Sequence, residues 1–130
     1  MKRTYRLRRP NQFQRVRREG RTVHHHLLLL NFAASRRKQT RCGFVVGKRI
    51  GKAVERNRAK RRVREAVRLV MEHISPGTDL VFVIRTADVN NVPFTGLQSV
   101  VKSLLRRAGL WCDPPLSAEA PSRDEAENTL

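Results

Sequence analysis

The segment from Glu55 to Ile74 carries the pattern that most restricts how this chain can fold. Apolar residues recur there at spacings of three and four, which is typical of an amphipathic helix with one buried face. The chain must therefore supply a sheet or a second helix to cover that face. We predict a helix near residues 57–74, ended by Ser75-Pro76-Gly77. Its apolar set is Ala59, Val63, Ala66, Val67, Val70 and Ile74.

The opposite side of this helix is crowded with cations. Six cations occupy the nine positions from Arg56 to Arg64, and no acid lies among them. A solvated face is the plain alternative, but solvated helices normally interleave acids at four-residue spacing. Arginine dominates, and its planar guanidinium suits phosphate oxygens and bases. The predicted nucleic-acid-binding residues, including three in the glycine-containing loop before the helix, are Lys48, Arg49, Lys52, Arg56, Asn57, Arg58, Lys60, Arg61, Arg64 and Arg68.

The charge of the whole chain agrees with a polyanionic partner. The 130 residues hold 28 Lys and Arg against 11 Asp and Glu, a formal net charge of +17. Five of those acids lie after residue 111, so the first 111 residues carry 27 of the bases and six acids. Self-repulsion on this scale favours nucleic-acid binding. We expect one domain over residues 1–111 and a disordered acidic tail over 112–130.

The remaining patterns predict a mixed α/β sandwich. We expect a helix over 11–20, strands over 23–35, 40–46 and 79–85, and a helix over 96–108. The 23–35 segment is long enough to split into two strands. The segment SRRKQ is expected to join it to the next strand as a hairpin. Asn11 is expected to cap the first helix and Gly20 to end it, while Thr95 and Gln98 form a capping box and Gly109 ends the last helix.

Other features indicate a reduced, intracellular protein. Cys42 and Cys112 lie far apart and have no zinc-binding spacing. The longest purely apolar run is Leu27 to Leu30, far short of the ~20 residues that span a bilayer. The N-terminus has no apolar signal region. We expect a cytoplasmic location and no membrane partner.

The sequence offers no catalytic or metal-binding constellation. A P-loop reading of residues 43–52 fails, because the glycines are too close and Arg49 stands where Ser or Thr should bind magnesium. The six acids before the tail are scattered singly, which disfavours a metal-dependent nuclease site. His24 and His26 could share one face of a strand for acid-base cleavage of RNA, a reading that we rank far below binding.

The stretch from Phe44 to Glu65 resembles the protein subunit of bacterial ribonuclease P. The family signature is matched by Arg56, Asn57, Arg58, Lys60, Arg61 and Arg64, and the preceding GKRIGKAV also fits. An early Phe-x-x-Val-x-x-x-Gly element extends the likeness to about residues 5–110. The resemblance implies an α+β fold, α-β-β-β-α-β-α, a two-layer sandwich whose mixed sheet contains a left-handed βαβ crossover.

The resemblance also implies a function. In that enzyme the catalytic RNA subunit removes the 5′ leader of precursor tRNA with Mg²⁺ bound mainly by the RNA, so no residue of this chain is expected to be catalytic or to bind metal. The expected partners are the catalytic RNA and the leader, with no obligate protein partner. The implied leader-cleft residues are Phe13, Val16, Arg17, Phe44 and Val46. Arg17 departs from the family, which often has an aromatic residue there, so guanidinium stacking or phosphate contact would replace base stacking.

Three alternatives stay open at this point. A structural RNA-binding protein, such as a ribosomal protein, would share the basic surface without binding a leader. A stand-alone nuclease would depend on His24 and His26. For Phe13, ordinary core packing competes with a role in the cleft.

Overall fold

The computed structural model describes residues 6, 7 and 9–112, so residues 113–130 of the predicted tail lie outside it. No helix in these ranges is long and apolar enough to cross a membrane. The predicted order α-β-β-β-α-β-α is confirmed. The elements are α1 Pro10–Glu19, β1 Arg21–His24, β2 Leu28–Ala34, β3 Arg41–Val46, α2 Ala53–Arg68, β4 Thr78–Ile84 and α3 Phe94–Arg107, with 3-10 turns Lys48–Ile50, Met71–His73 and Ala87–Asn90.

The four strands form one mixed sheet in the order β1-β2-β4-β3. β4 pairs antiparallel with β2 and parallel with β3, so β3, α2 and β4 form a βαβ unit. The predicted hairpin between β2 and β3 is wrong, because β4 lies between them. β4 is buried along nearly its whole length and therefore takes an interior position. The loop of residues 35–40 can span ~20 Å, enough to cross the ~10 Å of two strand spacings.

The two faces of the sheet are covered unequally. Alternation along β4 sends Leu80 and Phe82 into the main core with α2 and α3, while Val81 joins a smaller cluster on the other face. In that smaller cluster α1 contributes the fully buried Val16. Because α1 is a single short helix, it leaves part of its face of the sheet uncovered.

Helix α2 differs from its predicted bounds at both ends. It begins at Ala53, where the Glu55 side chain accepts a hydrogen bond from the Lys52 amide at 3.2 Å and so caps the first turn. It ends at Arg68, six residues early, and the 3-10 turn that follows keeps Val70 and Ile74 buried. The periodicity that predicted a longer helix therefore reflects continued packing after the helix has ended.

The other boundaries follow from local hydrogen bonds. The 23–35 segment does split into two strands, at a turn where the Leu27 amide donates to Nδ1 of His25 at 3.0 Å. Gly20 ends α1 as predicted, its amide donating to the Val16 carbonyl at 2.9 Å. The caps predicted at Asn11 and Thr95 are wrong, since α1 begins at Pro10 and α3 at Phe94, which places both residues inside helices.

A buried carboxylate ties α1 to the sheet. Asp79 of β4 is fully buried and accepts hydrogen bonds from Arg15 of α1 at 2.5 Å and from Nε and Nη2 of Arg41 at 3.1 and 3.0 Å. A buried charge is tolerated only when it is paired in this way. The position of α1, and with it the uncovered part of the sheet, therefore depends on Asp79.

Candidate nucleic-acid interface

Helix α2 and residues 48–52 before it hold all ten residues predicted to bind nucleic acid. Ile50 is buried and anchors the turn that carries Lys48 and Arg49. The side chains then divide by exposure. Exposed to solvent are Lys48, Arg49, Lys52, Asn57, Arg58, Arg61 and Arg68, and half-buried are Arg56, Lys60 and Arg64.

Two arginines of α2 are engaged within the fold. Arg62 donates to the backbone carbonyls of Asn90 and Val92, at 3.1 and 2.5 Å, and so fixes the loop between β4 and α3. Arg68 forms two hydrogen bonds with Glu65, at 2.9 and 2.6 Å, which lower the pKa of Glu65 and raise that of Arg68. Arg68 is thus exposed but paired with an acid of its own helix, and its role in binding nucleic acid stays a prediction.

Arg64 lies beside Phe44 of β3. Its guanidinium lies 5.8 Å from the centre of the Phe44 ring. Burial, and after it the neighbouring charges of Arg6 and Arg61, lowers the pKa of Arg64. Its Nε atom is buried and has no hydrogen-bond partner among the described residues. Arg64 as a whole is half-buried, and a phosphate oxygen is an acceptor that a guanidinium prefers.

The uncovered part of the sheet forms a cleft of about 510 Å³ beside α1. Phe13 and Arg17, one turn apart on α1, form one wall. The floor is largely apolar, and along one side the Thr22 hydroxyl donates to Oδ1 of Asn31 at 2.7 Å. An aromatic ring, a guanidinium and an apolar floor suit an unstacked nucleotide. The lining residues are Phe13, Gln14, Arg17, Thr22, His24, Leu29, Asn31, Val45, Val81 and Val83.

A glycine sets the position of Phe13. The Phe13 ring lies so close to Gly43 that a β-carbon at that position would be 2.4 Å from the ring. Only a residue without a side chain lets the ring rest against β3. Phe13 is half-buried and packs against the smaller cluster, so its ring is neither fully enclosed nor free in solvent.

Three residues predicted to line the cleft lie elsewhere. Val16 is fully buried beneath α1. Phe44 stacks on Phe82 in the main core, with ring centres 5.9 Å apart, and Val46 packs against the same core. Since successive residues of a strand face opposite sides of the sheet, it is Val45 that reaches the cleft. Phe13 and Arg17 are the two predicted residues that line it.

A second depression, of about 340 Å³, lies between α2, β3 and the segment before α1. Phe13 borders both hollows. Like that of Arg64, the Nε of Arg6 is buried without a hydrogen-bond partner within the described chain. The depression thus collects three cations beside two aromatic rings. Its lining is Arg6, Leu7, Phe13, Cys42, Phe44, Lys60 and Arg64.

The candidate catalytic groups are dispersed. His24 lines the cleft, whereas His26 lies 3.4 Å from Asp88 in a surface pair. Burial, followed by the charges of His26 and Arg107, lowers the pKa of His25. Burial raises the pKa of the Cys42 thiol to about 12, so it stays protonated at neutral pH. Within residues 6, 7 and 9–112, no group of three His, Cys, Asp or Glu side chains could hold a metal ion.

The sequence did not predict most of the residues that line the cleft. Thr22, Leu29, Asn31 and Val83 come from three strands whose neighbours are set by the order of the sheet. Strand alternation was the available signal, and it separates Val45 from Phe44 but does not say which face is uncovered.

The fold and its surfaces define a class of small α+β proteins that present a cationic helix on one side of a mixed sheet and a partly apolar cleft on the other. The family follows from comparison with known proteins. A family model described as Ribonuclease P matches residues 1–109, and the chain belongs to the ribonuclease P protein family.

Individual relatives agree over nearly the whole chain. The ribonuclease P protein component of Chloroflexus aurantiacus is 53% identical over 124 residues, covering 95% of this chain and 92% of the relative. That of Roseiflexus castenholzii is 56% identical over 110 residues, covering 85% and 90%.

Solved structures support the same placement. The RNase P protein of Staphylococcus aureus superposes with a TM-score of 0.73 at 25% identity, covering 82% of this chain and 97% of that one. The protein from Thermotoga maritima gives 0.71 at 30% identity, covering 78% and 96%. By family, the chain is a subunit of an endoribonuclease that acts in tRNA processing.

Proposed function

We propose that this chain binds the catalytic RNA of ribonuclease P through α2 and holds the 5′ leader of precursor tRNA in the cleft beside α1. The observation that carries the proposal is the place of Phe13, which borders both the cleft and the cationic depression at the edge of β3. One RNA strand lying in the cleft would therefore pass within reach of Lys60 and Arg64. The two surfaces act on neighbouring parts of one ribonucleoprotein.

The ten predicted nucleic-acid-binding residues of helix α2 and residues 48–52 together form what we call the α2 surface. This surface is suited to structured RNA. Arg58 and Arg61 are exposed, and seven of the ten predicted nucleic-acid-binding residues are exposed within residues 48–68. Arginine donors pair with phosphate oxygens, and each neutralised phosphate releases counterions. Arg64 adds a guanidinium whose direction is already fixed by Phe44. Fewer side-chain rotations are lost on binding, which favours affinity.

The cleft is suited to a single strand. Phe13 offers a ring for a base, Arg17 offers a guanidinium for stacking or for phosphate, and the floor of Val45, Val81 and Val83 excludes water from the base. The side chains of Thr22 and Asn31 place hydrogen-bonding groups at one border. This chemistry tolerates any sequence, as a leader that varies between tRNAs requires.

The chemical step is assigned to the RNA. Mg²⁺ bound mainly by the catalytic RNA would supply the activated water, and the described residues offer no group of three His, Cys, Asp or Glu side chains for a metal ion. Asp79 is occupied by Arg15 and Arg41. Others are engaged in the same manner, namely Glu19 with Arg15, Glu55 with the Lys52 amide, Glu65 with Arg68, and Asp88 with His26. The chain binds and orients RNA, and its place of action is the cytoplasm.

The direct test is the processing of a precursor tRNA by the catalytic RNA at near-physiological magnesium, with and without this chain. We expect the chain to stimulate cleavage and to strengthen binding of precursor relative to mature tRNA. A chain that binds the RNA without either effect would be a structural RNA-binding protein. Cleavage by the chain alone, abolished by His24→Ala with His26→Ala, would establish the nuclease alternative and refute ours.

A further inference from the structure

We infer that the outer face of α3 is a second phosphate-binding surface, which receives the 5′ leader where it leaves the cleft across the edge of β1. The inference rests on the proposed function and extends it. Of the three α-helices described, α3 is the one with no acidic residue, whereas α1 contains Glu19 and α2 contains Glu55 and Glu65. Its cations therefore have no acid on their own helix to oppose a phosphate.

The surface is a shallow depression of about 380 Å³. Ser103 lies between Lys102 and Arg106 along α3, whereas the Ser99 hydroxyl donates to the Thr95 carbonyl at 3.1 Å. Hydroxyl, ammonium and guanidinium groups all donate to phosphate oxygens. The lining residues are Ser99, Lys102, Ser103, Arg106 and Arg107. All five belong to α3, and none belongs to the set predicted on α2.

The cations are held in place before any ligand arrives. Trp111 stacks on His73, with ring centres 4.4 Å apart and planes 5° from parallel. The guanidinium of Arg106 lies 5.2 Å from the Trp111 ring and the ammonium of Lys102 lies 6.0 Å from it. Such cation contacts restrict the two long side chains, so less conformational entropy is lost when a phosphate binds. The arrangement differs in this respect from a loose solvated row.

Arg107 connects this surface to the cleft. Its Nη1 donates to the His24 carbonyl at 2.8 Å, which brings the guanidinium to the edge of β1. His24 is itself a lining residue of the cleft. A strand that runs from Phe13 over the floor toward His24 therefore meets α3 next. This continuity favours the leader over the catalytic RNA as the occupant.

The test uses the holoenzyme at saturating protein, with precursor tRNAs whose leaders are about 4 and about 12 nucleotides long, a range that one single-strand binding fold covers. The variant combines Lys102→Gln with Arg106→Gln, which keeps side chains that can pack on Trp111. A matched control combines Arg37→Gln with Lys38→Gln, the same charge loss in the exposed loop between β2 and β3. Unfolding curves for both variants check the fold. A third variant, Lys102→Arg with Arg106→Lys, changes the same two residues but keeps both positive charges, and is the charge-restoring variant.

We expect the α3 variant to lose the extra affinity for the long leader while binding the short leader as the unaltered chain does. The slope of log affinity against log salt concentration for the long leader should fall by about 1.4, because each of the two lost phosphate contacts contributes about 0.7 on a single strand. The control and the charge-restoring variant should behave as the unaltered chain. An intact preference for the long leader, or an equal loss for both lengths, would overturn the inference. An unaltered chain with no leader effect at any length would overturn the proposed function itself.

Discussion

The α2 surface and the cleft beside α1 are built in opposite ways. The α2 surface comes from one continuous stretch of chain, and its side chains need only a helix to share a face. The cleft takes its lining from α1 and all four strands, so it exists only when the sheet is assembled in the correct order. The contrast teaches that the α2 surface should tolerate damage to the fold around it, whereas the cleft should not.

The largest expected effect is on the cleft side. Asp79→Asn leaves Arg15 and Arg41 without their buried counter-charge, and we expect a loss of about 3 to 5 kcal/mol in the free energy of unfolding. Urea titration measures it. Asp88→Asn, the same substitution at an exposed site, serves as the control and should change stability little. Equal stabilities for the two variants would show that α1 does not depend on this cluster.

Two adjacent arginines separate the two kinds of role within α2. Arg62→Gln should lower stability by about 1.5 to 3 kcal/mol, because its bonds to the carbonyls of Asn90 and Val92 are lost. Arg61→Gln should leave stability unchanged and reduce the salt slope of RNA binding by about one. Denaturation and titration of the catalytic RNA at several salt concentrations give both values. If Arg61→Gln lowered stability and Arg62→Gln reduced the salt slope, Arg61 would stabilise the fold and Arg62 would contact the RNA.

A smaller effect tests the contact between the Phe13 ring and Gly43. Gly43→Ala introduces a β-carbon that would meet the Phe13 ring, and we expect a cost of about 1 to 3 kcal/mol together with weaker discrimination in favour of precursor tRNA. Gly47→Ala is the matched control, since nothing lies within 4 Å of its β-carbon position. Binding of precursor and mature tRNA to each holoenzyme checks the result. Unchanged discrimination in Gly43→Ala would separate the leader from Phe13.

The smallest effect concerns Arg68. Glu65→Gln removes the partner of Arg68, so we expect slightly tighter RNA binding that is most visible at low salt. Glu72→Gln gives the same change of charge at an exposed site without releasing an arginine. If both variants tighten binding equally, net charge alone accounts for the gain and Arg68 makes no contact of its own.

The contrast between the α2 surface and the cleft explains why the sequence predicted the first and not the second. The cationic face of α2 follows from residue spacing within one helix, because the period of a helix is local. The order of the strands does not, since a six-residue loop allows β3 to pair with β2 or to pass beyond β4. The cleft depends on that order and on register. The resemblance implies that Phe44 and Val46 line the cleft, yet both face the main core, and Val45 faces the cleft.

Partners distant in sequence were also out of reach. The local sequence does not indicate that Arg62 donates a hydrogen bond to the Asn90 carbonyl. It also does not indicate that Asp79 pairs with Arg15, sixty-four residues away. The resemblance to ribonuclease P proteins supplied Phe13 and Arg17, which α1 does place on the wall of the cleft.

The central claim is that two separable surfaces bind two different RNA segments. The measurement that tests it most directly is a pair of affinities for Arg61→Gln and Phe13→Ala, one for the catalytic RNA alone and one for precursor relative to mature tRNA in the holoenzyme. We predict that Arg61→Gln weakens only the first and that Phe13→Ala lowers only the second. Equal losses in both affinities for both variants would contradict the account.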